Sequence, residues 1–331
     1  MKSDKEIINL DDYRVINGPD NGLMQIKPAK HPAAMAIYDK MREDHWNESS
    51  VDMSRDVQQW SSLTEAEQRG YQKALAFLSN LDGLQLNNLN VVNSHVTSPW
   101  YRMALSRQIF DESMHVMAYS LMIETMGFDP IETYNMFMTD DLLHEKNKYV
   151  RVMNVLMPEG FSTENFALAT VANQALEGIM FQSGFLFFYA LAENKKMPES
   201  AKQIRYIHRD ENNHLRLFNA MFKDVLAENP EVDTPEFRER AKDILKNTAE
   251  LEKQWGNHII GDGIMGLSNE LMETYIEYLT NQYSKALGLG EIYPGVTKDP
   301  APFVEERADD VAFETNFFES ERDTYDDMAE W

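Results

Sequence analysis

Residues Asp111-Glu-Ser-Met-His115 and Arg209-Asp-Glu-Asn-Asn-His214 each contain a Glu-x-x-His pair, and these two stretches decide which fold the sequence can adopt. Positions i and i+3 lie on one face of an α-helix, so each pair can present a carboxylate oxygen and an imidazole nitrogen to the same metal ion. One such pair is weak evidence, because glutamate and histidine also meet at this spacing by chance. The first pair lies among the apolar residues Phe110, Met114 and Met117, which indicates a helix inside a core. Together the pairs predict a metal site within a helical protein.

Two further carboxylates lie inside predicted helices. Glu177 belongs to a stretch, about 163–193, that is apolar on nearly all sides and contains no lysine or arginine. An ionised carboxylate in a protein core is costly unless it is paired or bound to a metal, so we favour a metal ligand over a salt bridge to a basic residue from another helix. Asp82 lies in the interior of a helix that begins at the capping box formed by Thr64 and Glu67.

These carboxylates complete the ligand pattern of ferritin-like dimetal proteins, in which two helices each supply one carboxylate and two others each supply a Glu-x-x-His pair. Four carboxylates balance the charge of two divalent ions. Ligands of oxygen and nitrogen without sulfur suit iron or manganese. A structural zinc site differs, because it is typically formed by four cysteine or histidine ligands.

Composition supports the same fold class. Only 15 glycines and 12 prolines occur in 331 residues, and further helices are predicted at about 33–44, 99–127 and 130–156 and from Pro198, Thr234-Pro235 and Ser268. We therefore expect an all-α protein, a ferritin-like helical bundle.

Charge and cysteine content exclude several classes of function. A net charge of −24 argues against binding nucleic acid or an anionic membrane surface, and the absence of cysteine excludes disulfides, thiolate ligands and a cysteine radical on this chain. The N-terminal residues are charged where a signal peptide needs an apolar segment, and no apolar run approaches the roughly 20 residues of a membrane span. We expect a soluble, cytoplasmic protein.

Four segments occur in an order that resembles the small, radical-generating subunit of class I ribonucleotide reductases over nearly the whole chain. They are Leu81-Asp-Gly-Leu-Gln85, Asp111-Glu-Ser-Met-His115 with Tyr119, Ala175-Leu-Glu177, and Arg209-Asp-Glu-Asn-Asn-His214. Each segment is weak evidence alone, whereas the ordered set is specific. The resemblance implies a ligand set for two metal ions that consists of Asp82, Glu112, His115, Glu177, Glu211 and His214.

The resemblance also implies roles outside the ligand set. Tyr119, one helical turn beyond His115, would be the tyrosine that is oxidised to a radical. The apolar residues that would shield the radical are Phe181, Phe185 and Ile207. Trp46 and Asp210 would begin a radical-transfer path, with Asp210 hydrogen-bonded to His115. From the residues alone, Tyr119 could instead be a packing tyrosine, Trp46 a packing tryptophan and Asp210 a solvated acid.

The last 41 residues differ from the rest of the chain. Residues 291–331 hold thirteen acidic and three basic residues and show no sustained periodicity, so we divide the chain into a ferritin-like domain, 1–290, and a disordered acidic tail, 291–331. A solvated acidic tail is one interpretation. By the resemblance, Asn316-Phe-Phe-Glu319 and Tyr325 would relay the radical, and the C-terminus near Trp331 would dock on the large subunit.

Some positions depart from the family's branches. The Asn87-Asn88 context is closest to the chlamydial-type branch, which uses a manganese/iron pair and has phenylalanine at the radical position. This chain has Tyr119 there, and Asp82 where that branch has glutamate, which favours a tyrosyl radical. We expect iron, with manganese or a mixed pair as alternatives, because the same ligands accept both metals.

The function implied is that of an oxidoreductase subunit. A homodimer would generate a tyrosyl radical and pass it to a cysteine of a separate large subunit, which reduces ribonucleotides to deoxyribonucleotides. The alternatives are a ligand-binding oxidase of the same superfamily, a ferritin-like metal-storage protein, and a helical interaction protein without metal. A conducting tail, with Tyr325 and Trp331, favours the reductase over the first two, and a buried Glu177 argues against the third.

Overall fold

The computed structural model describes residues 8–154, 161–261 and 263–308. Within them most of the chain is α-helical and no β-strand forms, so the predicted all-α class is confirmed. The α-helices are α1 (Pro32–Glu43), α2 (Ser54–Gln59), α3 (Glu65–His95), α4 (Pro99–Thr125), α5 (Pro130–Thr139), α6 (Asp141–Asn154), α7 (Thr163–Ala175), α8 (Gln182–Glu193), α9 (Pro198–Glu228), α10 (Pro235–Ile260), α11 (Asn269–Ala286) and α12 (Phe303–Ala308).

Local sequence signals set the ends of the long helices. At the start of α3, the Thr64 hydroxyl accepts the Glu67 amide at 3.2 Å, and the Glu67 carboxylate accepts the Thr64 amide at 2.9 Å. Proline opens α4, where its fixed φ fits the first turn. After α4, Gly127 takes a φ of 73°, a left-handed conformation that favours glycine.

The predicted helix at 163–193 forms with one interruption. A single π turn, Leu176–Met180, separates α7 from α8 and carries Glu177. Every residue from Phe166 to Ala192 is buried, as expected for the central helix of a bundle. The expectation that no apolar run approaches the length of a membrane span was wrong, because this stretch is long and apolar enough to cross a membrane, the one such stretch in the described part of the chain. Its apolar window is entirely buried in the protein. Its composition is therefore explained by the core.

The elements that carry the predicted ligands pack side by side. Helix α3 contacts α4 and α8, while α9 contacts α4, α7, α8 and the π turn. Helices α10 and α11 cover the other side of the π turn, and α1 lies against α4 and α9. The four ligand-bearing segments thus enclose one interior volume.

Three further expectations need correction. The predicted helical region from Pro130 forms two helices over its described residues, 130–154, because Asp140 ends α5 and its carboxylate caps α6 by accepting the Leu142 and Leu143 amides, each at 3.1 Å. Phe110 and Met117, interpreted as signs of a core, are 43% and 53% exposed on the outer face of α4. That helix is apolar on both faces, so periodicity did not distinguish them.

The third correction concerns the start of the predicted tail. Residues 291–308 pack against the helical body: Ala301 and Val304 are fully buried, and the Asn281 side chain donates to the Tyr293 carbonyl at 2.8 Å. This packing depends on contacts with α8, α9 and α11 that periodicity cannot report. The rest of the predicted tail, 309–331, including Tyr325 and Trp331, lies outside the described residues.

Candidate metal centre

The six residues predicted as ligands converge at the centre of the bundle. Asp82 comes from α3, and Glu177 comes from the π turn, while each Glu-x-x-His pair projects inward from its helix, α4 or α9. All six side chains are fully buried. Their ligand atoms form two groups of four, within 4.8 Å of one another in each group: Asp82, Glu112, His115 and Glu211 in the first, and Glu112, Glu177, Glu211 and His214 in the second. Because Glu112 and Glu211 belong to both groups, the two positions are adjacent and share two carboxylates.

Several polar atoms of the centre have no hydrogen-bond partner, and this shows whether the six residues suit bound cations. Both oxygens of Asp82 and of Glu112, and one oxygen of Glu177, are buried without a hydrogen-bond partner. The same holds for Oε1 of Glu211 and for Nδ1 of His115. A buried polar atom without a partner is costly, and here several converge on one volume. Two divalent ions would supply the missing partners and balance the charge of four carboxylates.

Burial and mutual repulsion alter the acidity of the cluster. Burial raises the pKa of Asp82, Glu112 and Glu177, and neighbouring carboxylates add to the rise. Burial would also raise the pKa of Glu211, but contacts with His115 and His214 reverse the effect and lower it. Without bound cations the cluster therefore retains protons, which a metal ion must displace.

His115 has its orientation set by a carboxylate from another helix. Its Nε2 lies 3.2 Å from Oδ2 of Asp210, and the same oxygen accepts a hydrogen bond from Nε1 of Trp46 at 2.6 Å. With Nε2 donating to Asp210, Nδ1 is left to face the centre. The structure thus brings Trp46, Asp210 and His115 into one hydrogen-bonded chain, in the order expected from the sequence.

His214 has a corresponding neighbour that the sequence analysis missed. Its Nε2 lies 3.6 Å from Oδ2 of Asp111, and Arg107 holds the other oxygen of that carboxylate at 2.5 Å. Asp111 directly precedes Glu112, just as Asp210 directly precedes Glu211. The repeated Asp-Glu-x-x-His spacing was therefore the available signal. Each helix supports the histidine of the other.

Glu177 is held by amide side chains, which were also missed. Its Oε1 accepts hydrogen bonds from Gln108 at 2.7 Å, from Asn173 at 3.0 Å and from Gln85, which leaves Oε2 directed towards the second group. No lysine or arginine pairs with Glu177 among the described residues, so the alternative of a salt bridge is not realised there. Asn173, an amide one turn before Glu177 in the same apolar helix, was the available sequence signal.

Tyr119 is fully buried on α4, one turn beyond His115, and its hydroxyl has no hydrogen-bond partner among the described atoms. Burial, and then the charge of Asp82, raise its pKa well above the ordinary value. The phenol therefore stays protonated, and its oxidation requires a proton acceptor. The residues expected to shield it, Phe181, Phe185 and Ile207, are fully buried in the same core.

This bundle, with two overlapping groups of carboxylate and histidine ligands, defines a ferritin-like protein with a dimetal-carboxylate site. A model of the family "Ribonucleotide reductase, small chain" matches residues 23–300. The chain belongs to this family, which confirms the resemblance drawn from its sequence and the expected class of oxidoreductase.

Individual relatives agree over nearly the whole length. The chain is 32% identical to the ribonucleoside-diphosphate reductase subunit beta of Treponema pallidum over 323 residues, which cover 96% of this chain and 92% of the relative. A solved ribonucleotide reductase R2 subunit from Clostridium botulinum is 32% identical, with a TM-score of 0.86 over 89% of this chain and 94% of that one. The dimanganese(II)-NrdF structure from Streptococcus sanguinis, at 22% identity, shares the fold with a TM-score of 0.72 over 83% and 95% of the two chains.

Proposed function

We propose that this chain is the radical-generating subunit of a class I ribonucleotide reductase and that Tyr119 carries the radical. The observation that supports this most strongly is that a fully buried tyrosine, on the same helix as the ligands Glu112 and His115, lies one turn beyond His115. Iron, or manganese or a mixed pair in its place, would supply one-electron oxidising chemistry when held by the six ligands. The remaining steps fall to the chain's own residues.

The protein's first task is to move a proton from the Tyr119 hydroxyl. When the phenol loses an electron, its proton must leave too, and no described side chain accepts a hydrogen bond from it. Asp82 is the carboxylate whose charge most affects this phenol, so the ligand cluster is the natural acceptor. The buried apolar surroundings then exclude water and reductants from the oxidised ring.

The second task is to connect the centre with the surface. Trp46 is 8% exposed, and its hydrogen bond to Asp210 continues to His115, so an electron and a proton can pass along three contacting groups. We propose that this chain begins the path to the catalytic subunit. Tyr325, outside the described residues, is proposed as its later relay.

The expected partner is the large subunit, bound through the acidic C-terminal residues. Removing the residues after Phe318 should leave metal binding unchanged and abolish nucleotide reduction with the large subunit. The truncation removes both the C-terminus that docks on the large subunit and the proposed relay residue Tyr325. Tyr325→Phe should separate these roles, since binding would persist while turnover stops. Normal turnover by the truncated chain would contradict the proposal.

A second copy of the chain is the other proposed partner. Phe110, Met114, Met117 and Leu121 form a stripe along the outer face of α4 at helical spacing, with Phe110 and Met117 exposed. An exposed apolar stripe of this kind suits a homodimer interface. Met117→Glu should shift the protein towards monomer in sedimentation velocity, and an unchanged dimer would exclude this face.

The proposal requires no nucleic acid and no membrane and assumes a cytoplasmic location.

Metal analysis combined with electron paramagnetic resonance tests the proposed metal site and radical. The reconstituted protein should hold two ions per chain and show a tyrosyl radical signal that Tyr119→Phe removes. Tyr71→Phe is the matched control, since this buried phenol bonds to Ser200 instead. A full signal in Tyr119→Phe would refute the assignment. A ligand-binding oxidase or a storage protein would show metal without this radical.

A further inference from the structure

Lys146 on α6 and Glu252 on α10 form an ion pair to which the steps above give no role. Both side chains are fully buried. Removing two charges from water is costly, and their attraction compensates for it only when further hydrogen bonds satisfy the remaining polar atoms. The additional contacts of the pair therefore indicate its purpose.

The hydrogen bonds that the pair makes to other residues all lie where the π turn meets α8. The Lys146 ammonium donates to the carbonyl of Met180, the last residue of the π turn, at 3.1 Å. The Glu252 carboxylate accepts the backbone amide of Ser183 at 3.1 Å and the Ser183 hydroxyl. Backbone groups at helix ends lack regular partners within the helix, and a π turn disturbs the pattern further. The pair thus satisfies one carbonyl and one amide where the helix is interrupted.

The same segment is fixed tightly from other directions. The Lys146 ammonium lies 3.4 Å from the centre of the Phe77 ring on α3, a cation–π contact. On the α11 side, a Cβ at Gly178 would lie 2.7 Å from the ring of Tyr283, so backbone and ring are in close contact. Glu177 immediately precedes this glycine. The π turn that carries Glu177 is therefore contacted by α11 at Gly178 and by the buried ion pair at Met180.

We propose that Lys146 and Glu252 are positioning residues, which fix the π turn so that Glu177 presents its free oxygen to the second ligand group. The inference rests on the proposed two-metal site. Groups that orient metal ligands typically change metal affinity 10–100-fold when lost. We expect disruption of the pair to weaken the position formed by Glu112, Glu177, Glu211 and His214 about tenfold and to leave the position of Asp82 and His115 within about twofold.

The test is the double variant Lys146→Met/Glu252→Gln in the full chain, which removes both charges together and leaves no lone buried charge. Titration of the metal-free protein with Mn²⁺ by calorimetry gives two affinities, and Glu177→Gln identifies the one that depends on Glu177. The matched control is Lys196→Met/Glu67→Gln, which neutralises the ion pair near the opposite end of α8, where Nζ and Oε1 lie 2.7 Å apart. This control should leave both affinities unchanged.

Selective weakening of the Glu177 position supports the proposal. Two wild-type affinities in the double variant overturn it, and so does an equal loss at both positions, which would indicate a general effect on the fold. If the double variant does not fold, Ser183→Ala serves instead: it removes only the hydroxyl contact and should weaken the same position about threefold. No change in Ser183→Ala would also overturn the proposal. Absence of Mn²⁺ binding by the wild type would refute the two-metal site itself.

Discussion

Asp210→Asn should weaken metal binding at one of the two positions and spare the other. Oδ2 of Asp210 accepts hydrogen bonds from His115 at 3.2 Å and from Trp46 at 2.6 Å. An amide oxygen can keep both bonds but carries no charge, so the imidazole loses the anion that makes its ring a stronger ligand. The variant therefore isolates the effect of charge from that of shape.

The expected loss of metal affinity follows from the strength of the hydrogen bond between Asp210 and His115. A hydrogen bond to a charged group is roughly twice as strong as a neutral one, whose net value is about 1 kcal/mol. Losing the charge should then cost about 1–1.5 kcal/mol, or about tenfold in the dissociation constant at the His115 position. Asp111→Asn should affect the His214 position instead, and less, because Asp111 lies 3.6 Å from that ring and is already paired with Arg107.

Calorimetric titration of the metal-free protein with Mn²⁺ measures both constants. Asp56→Asn provides the matched control, since Asp56 is a buried carboxylate that caps the start of α9 by accepting the Ser200 amide at 2.6 Å, away from the ligands. It should lower thermal stability without altering either metal affinity. Unchanged dissociation constants in Asp210→Asn would contradict a charge effect on His115, and so would a greater weakening at the His214 position than at the His115 position.

Three further predictions concern the same core. The double variant Glu177→Ala/Glu211→Ala should lose bound metal in elemental analysis, because it removes ligands from both groups; full occupancy would eliminate the site. Metal affinity should fall as the pH is lowered, because protons compete for buried carboxylates such as Asp82, whose pKa is raised; a flat pH profile would speak against these ligands. Burial lowers the pKa of His208 from 6.5 to about 4. As the pH falls from 6.5 to about 4, the unfolded chain therefore binds a proton at this histidine before the folded chain does, and the free energy of unfolding decreases by about 3 kcal/mol in all. His208→Gln keeps an acceptor for Tyr189, 3.2 Å away, and should flatten this part of the urea-unfolding profile; an unchanged profile would show that other groups titrate.

Much of the candidate site was predictable because its signals are local. The spacing of Glu112 and His115 places both on one helix face wherever that helix packs, and an acidic residue such as Glu177 in a helix that is apolar on nearly all sides needs a buried partner in any fold. The all-α class likewise follows from composition and capping, which act within a few residues.

Other features depended on which helices meet. Phe110 and Met117 were expected in the core and lie outside, because α4 is apolar on both faces and only packing decides which one faces inward. Residues 291–308 lack periodicity but are held by side chains of distant helices, such as Asn281, whose contacts no local pattern reveals.

The sequence by itself determined the all-α class and the set of carboxylate and histidine side chains, because residue type and spacing along a helix do not depend on how the helices pack. Only the tertiary structure decided that Glu112 and Glu211 belong to both groups, that Asp111 lies beside the histidine of the opposite helix, and that Lys146 reaches the π turn. These relations join helices far apart in the chain. Their geometry follows from how the helices pack, which is a property of the assembled core and not of any one segment.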